Sequence, residues 1–153
     1  AAAPVLVDYA HTPDGLDKLL RSVRPHTRGR VILVFGCGGD RDPTKREKMG
    51  AIAARQADYI IVTDDNPRSE DAALIRSAIL DGCPDAEEIP DRAAAIARGV
   101  AMLQPGDCLL LAGKGHETGQ TIAGVVHPFD DRDEGRKALL ARKEFLKQEG
   151  AHA

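Results

Sequence analysis

RVILVFGCGGDRD, residues 30–42, is the stretch on which the fold turns. Val31–Phe35 sets five apolar residues in a row with no polar alternation. A strand built this way needs cover on both faces, as in a parallel sheet sandwiched by helices. Gly36-Cys37-Gly38-Gly39 ends it, and a polar loop leads to a helix near Arg46–Gln56 with Met49, Ile52 and Ala53 inward. The same grammar repeats on either side. Val5–Val7 precedes a helix with Leu16, Leu19, Leu20 and Val23 on one stripe, capped by Thr12-Pro13-Asp14. Tyr59–Thr63 is a third strand, Glu70–Leu80 a helix, Glu87–Ile89 a short strand, Arg92–Leu103 an Ala-rich helix, and Asp107–Ala112 another buried strand. Thr121–Val126 reads as a strand at the sheet edge, Asp131–Gln148 as a final helix and Glu149–Ala153 as a loose tail. This alternation predicts an α/β fold: a doubly wound, mostly parallel sheet of about six strands with helices on both faces.

Composition narrows the function. The 153 residues are 42% hydrophobic and 29% charged, which excludes a disordered chain, and no apolar run approaches the ~20 residues of a spanning helix. Lys+Arg is 21 against Asp+Glu 24, a net charge of −3, and aromatics are 3% with no Trp. Neither a nucleic-acid partner nor a membrane surface fits that balance. Ala1–Pro4 lacks the charged opening of a signal peptide. Three widely spaced cysteines form no C-x-x-C and read as reduced thiols; Cys37, between glycines, is the one candidate for a reactive thiol.

In a doubly wound sheet, ligands bind outside the carboxyl ends of the strands. Five loops leave those ends: Ala10-His11-Thr12, Gly36–Arg46, Asp64–Arg68, Pro90-Asp91 and Gly113–Glu117. Gly36–Gly39 is a tight turn or an anion-binding nest, since both use the same backbone freedom. It is no G-x-G-x-x-G, and no P-loop occurs in the chain. Asp64-Asp65-Asn66-Pro67-Arg68 gathers two carboxylates, an amide and a guanidinium. Such a turn suits a zwitterion such as an amino acid, or else caps the following helix. Gly113-Lys114-Gly115-His116-Glu117 is either acid–base machinery or a loop for a charged ligand. His11 is a capping residue or a site residue, and Arg132 and Asp133 read as a solvated helix start. No metal-ligand spacing is present.

Four of these segments, Asp8–Asp14, Phe35–Asp42, Thr63–Arg68 and Ala112–Glu117, resemble the C-terminal domain of a Mur ligase, in order and across essentially the whole chain. They look most like the branch that adds meso-diaminopimelate to UDP-N-acetylmuramoyl-L-alanyl-D-glutamate in peptidoglycan synthesis. The resemblance implies a Rossmann-like sheet and one domain over residues 1–153, the third of three. The N-terminal UDP-sugar domain and the central ATPase domain are not in this chain, so it is expected to be inactive alone. It further implies a cytoplasmic, ATP-dependent amide-forming ligase working through an acyl phosphate, with ATP and Mg2+ held mainly by the central domain. Arg41, Asp65, Asn66, Pro67, Arg68, Gly113 and Glu117 would bind meso-diaminopimelate, and His11 would lie near the nucleotide. No catalytic group and no metal ligand is implied here. The readings that compete are a folylpolyglutamate-type ligase domain and a free-standing amino-acid-binding module.

Overall fold

The computed structural model describes residues 3–151. Its elements run β1 (Val5–Asp8), α1 (Pro13–Val23), β2 (Val31–Phe35), α2 (Thr44–Gln56), β3 (Tyr59–Val62), α3 (Ala72–Leu80), β4 (Glu87–Glu88), α4 (Arg92–Ala101), β5 (Cys108–Ala112), β6 (Gly119–Ile122), β7 (Val125–Pro128) and α5 (Asp131–Ala151). Five strands form one sheet in the order β1-β5-β2-β3-β4, all pairs parallel. β2 and β5 are buried at every position. Their side chains alternate between two apolar layers, as the period of two requires. Val31, Leu33 and Phe35 pack with Leu16 and Leu20 of α1, Met49 and Ile52 of α2, and Ile75 and Ile79 of α3. Ile32, Val34, Leu109 and Leu111 face Ala95, Ile96 and Val100 of α4, and Ala138 of α5 joins that layer.

Strand order sets the site. The chains leaving β1, β2 and β3 cross to α1–α3 on one face, whereas β5, lying between β1 and β2, feeds toward α5 on the other. Neighbouring connections therefore part at β5, which opens a crevice at the carboxyl edge of the sheet.

Three expectations need revision. Thr121–Val126 is not a sheet-edge strand: it spans the turn of a separate antiparallel hairpin, β6–β7, with Ala123 and Gly124 both at positive φ. That hairpin touches the sheet's loops through a bridge between Arg68 and Ile122. α3 starts at Ala72, capped by the Asp71 carboxylate, rather than at Glu70. The tail is helical through Ala151, and residues 152–153 lie outside the described residues.

One ion pair ties the layers together. Arg92, at the first turn of α4, meets Asp131, at the first turn of α5, through two hydrogen bonds of 2.7 Å, and both side chains have 0% exposure. The guanidinium also donates to the carbonyls of Asp64 (3.2 Å), just past β3, and Ala112 (3.1 Å), at the end of β5. Burial works against the charged form, but Asp131 outweighs it and holds the Arg92 pKa above its ordinary value. Removing one partner strands the other charge in the interior. Arg92→Met should therefore lower the unfolding free energy by about 3–5 kcal/mol, measured by urea denaturation. A loss below ~1 kcal/mol would show that the pair does not hold the layers.

Candidate functional site

Loops after β1, β2, β3 and β5 close around a cavity of about 370 Å3, within the range of small-molecule sites. Tyr9, His11 and Thr12 come from the first loop, Gly36–Gly38 and Arg41 from the second, Lys45 from the first turn of α2, Asp65, Asn66 and Arg68 from the third loop, and Gly113 and Glu117 from the last. Six of the seven residues expected to bind the amino acid share this cavity, as does His11. Pro67 does not line it. It is buried behind the wall, where its carbonyl lies so close to Gly39 that a Cβ there would sit 1.9 Å from the oxygen. The Pro90-Asp91 loop also stays outside: Asp91 caps α4 through Ala94 N–H, and the Pro90 carbonyl accepts from Thr63 Oγ1.

Gly36, Gly38 and Gly39 are not at positive φ, and their small size serves close packing against the β3 loop, where Gly39 N–H donates to Asn66 O at 2.7 Å. Next to it, Asp40 does sit at φ 54° and receives Ser69 Oγ at 2.6 Å, which lowers its pKa. Cys37 lines the cavity but is 4% exposed, with Sγ 3.8 Å from Met49 Sδ. Burial pushes its thiol up to about 12, which disfavours the thiolate that a reactive cysteine needs.

Cations and acids divide the cavity. Arg68 is at φ 53°, and its Nη1 donates to Gly39 O at 2.8 Å, which fixes one edge of the guanidinium and leaves the other for a ligand. Asn66 Oδ1 accepts from Lys114 Nζ (3.1 Å) and Thr121 N–H (2.9 Å). With two donors on the oxygen, the amide has one consistent orientation, and the group left for the cavity is its Nδ2. Arg41 is exposed, and its Nη1 donates to Asp40 O at 3.0 Å. Opposite in sign are Glu117 and Asp65. Asp65 is 7% exposed, and its Oδ1 lies 3.1 Å from Lys114 Nζ without hydrogen-bond alignment, so charge alone holds that oxygen. Gly113 N–H is spent on Asp8 O, which leaves its carbonyl as the backbone group facing a ligand. On the β1 side, His11 stacks edge-on to Tyr9 with ring centres 4.6 Å apart, and Lys45 Nζ donates to His11 O at 3.0 Å.

Asp64 leaves this set. It pairs with Arg76 of α3 at 2.5 Å, away from the cavity, and burial raises its pKa. Arg132 and Asp133 stay near the surface, in pairs with Asp130 and Arg136. Asp131 between them is the buried partner of Arg92, which sequence reasoning missed. The available signal was Arg92 itself: an Arg at a helix N-terminus opposes the helix dipole and asks for a local carboxylate.

The arrangement can therefore take a ligand with carboxylates at the Arg68–Asn66–Arg41 wall and an ammonium near Glu117 and Asp65. Among the described residues, no group of His, Cys, Asp or Glu is placed to hold a metal ion.

Comparison with known proteins gives the family. Residues 1–115 match the family model described as Mur ligase, glutamate ligase domain. A UDP-N-acetylmuramoyl-L-alanyl-D-glutamate–2,6-diaminopimelate ligase of Caulobacter vibrioides is 64% identical over 133 residues, covering 87% of this chain and 27% of the relative. The ligase of that name from a Chelativorans species is 62% identical over 140 residues, covering 92% of this chain and 29% of the relative. A solved structure bearing the same ligase name superposes with a TM-score of 0.88 at 42% identity, over 94% of this chain and 30% of the other. The chain thus spans under a third of the length of these relatives. A match over three quarters of the sequence, joined to a fold whose strand-end loops line one charged cavity, leaves a single assignment: the chain belongs to the Mur ligase family.

Proposed function

We propose that this chain is the amino-acid-receiving domain of an ATP-dependent ligase that joins meso-diaminopimelate to UDP-N-acetylmuramoyl-L-alanyl-D-glutamate. The observation that carries it is the cavity's charge layout, with the Arg68 guanidinium and the Asn66 amide on one wall and the Glu117 carboxylate on another. The printed names of relatives at 64% and 62% identity support the substrate.

In this reading, the D-glutamyl γ-carboxylate is phosphorylated by ATP, giving an acyl phosphate and ADP. The amine of diaminopimelate attacks the acyl carbon, phosphate leaves, and the ammonium proton passes to solvent or a base. This chain positions the amine. Arg68, Asn66 and Arg41 hold carboxylates of the diamino diacid, and Glu117, Asp65 and the Gly113 carbonyl receive the ammonium of its far end. His11 stands on the nucleotide side. ATP and Mg2+ would be held mainly by the central domain of the longer ligase. The cytoplasmic setting rests on the resemblance.

The layout also explains selectivity. L-Lysine lacks the second carboxylate, so Arg68 and Asn66 would be desolvated without a partner, a cost that rejects the analogue. Arg68→Ala in the three-domain ligase should raise KM for meso-diaminopimelate by ~10²-fold or more, the loss expected for one half of a hydrogen-bonded charge pair. An unchanged KM in steady-state kinetics would sink the role of Arg68. Calorimetric titration of the chain should give heat with meso-diaminopimelate and none with L-lysine at the same concentrations. Equal heats would refute the selectivity. Without a P-loop, the 153-residue chain should form no amide from ATP and both substrates, as followed by product chromatography.

A further inference from the structure

Lys114 is fully buried, at 0% exposure, and is absent from the cavity lining although Gly113 beside it lines the site. The residues flanking it, Gly113 and Gly115, sit at φ 112° and 54°, a left-handed pair that turns the lysine stem inward beneath the β3 loop. Its ammonium reaches Asn66 Oδ1 at 3.1 Å, Asp65 Oδ1 at 3.1 Å and the Gly119 carbonyl at 2.9 Å. One cation thus joins the β3 loop, the β5 loop and the start of the hairpin.

We propose that Lys114 is a positioning residue for ligand recognition: its ammonium locks the Asn66 amide so that Nδ2, not Oδ1, faces the cavity. This deepens the functional reading above and rests on it. The side-chain amide of Asn66 presents a donor at one end and an acceptor at the other. Turned over, it would aim an oxygen at a carboxylate and repel it. Lys114 and the Thr121 N–H, arriving on the same oxygen, exclude the reversed state. Lys114 also balances Asp65, whose buried Oδ1 has no directed hydrogen bond.

The test uses the complete ligase and three variants: Lys114→Met, Asn66→Ala and the double variant. Lys114→Met should raise KM for meso-diaminopimelate at least ~10-fold, with kcat and KM for ATP within about 3-fold of wild type. A role confined to stability would instead lower kcat through lost folded enzyme and leave the KM values alone. In the Asn66→Ala background the same change should raise KM by less than about 3-fold, because the lysine acts through the amide. A KM within 3-fold of wild type for Lys114→Met, or a rise that is undiminished in the Asn66→Ala background, overturns the inference. Should Lys114→Met not fold, Asn66→Asp decides. Its carboxylate still accepts from Lys114 and Thr121 but has no N–H, so KM should rise ~10-fold or more at an unaltered thermal midpoint, and an unchanged KM overturns the inference. A wild-type ligase that forms no amide with meso-diaminopimelate overturns the functional reading and this inference together. A wild type that does, beside variants with unchanged KM, overturns this inference alone.

Discussion

Arg92 and Asp131 meet inside the protein where neither touches water, and two further guanidinium hydrogens go to the backbone oxygens of Asp64 and Ala112. Two helix starts and two strand ends are thereby fixed to one planar group. Taking such charges out of water costs about as much as their attraction returns, so the pair adds little net stability over a well-packed apolar substitute. Its effect is geometric. A guanidinium with five donors in one plane tolerates few arrangements of partners, and the ends of β3 and β5 are where the recognition loops begin. Lys114 repeats the device, linking the two loops that Arg92 has already brought side by side.

The two adjacent acids at the end of β3 show how this frame divides labour. Asp64 turns to Arg76 of α3, which also holds Glu88 of β4, and so anchors the loop to the outer part of the sheet. Asp65 turns the other way, to Lys114 and the cavity. Successive side chains leaving a strand point to opposite sides, so neighbours in sequence serve separate networks. The same alternation places Val34 in one apolar layer and Phe35 in the other.

The buried strands were legible because nothing but a covered parallel sheet accommodates VILVF and CLLLA, and the strand-end loops followed from that topology. The start of α3 was displaced by two residues because the Asp71 carboxylate caps it by accepting from Ala73 N–H. The hairpin escaped because most of β7 is exposed and carries no clear alternation, although Ala123-Gly124 marks a two-residue turn of the left-handed type. Charged residues that line the cavity stood out in sequence by their density. The burial of Arg92, Asp131 and Lys114 was not read from the sequence, although Lys114 lay in a loop already marked as a ligand loop, since charged residues are exposed far more often than not.

Arg68 is clasped on both sides by β6–β7: its N–H donates to the Thr121 carbonyl at 2.9 Å, and its own carbonyl accepts from Ala123 N–H at 2.6 Å. A left-handed backbone at a long side chain is uphill in isolation, so the conformation is borrowed from a segment more than fifty positions downstream. The Asp-Asn-Pro-Arg tetrapeptide is thus not a portable cassette. Grafted onto another scaffold, it would relax to an ordinary turn and point its guanidinium elsewhere, unless its distant β-ribbon travelled with it.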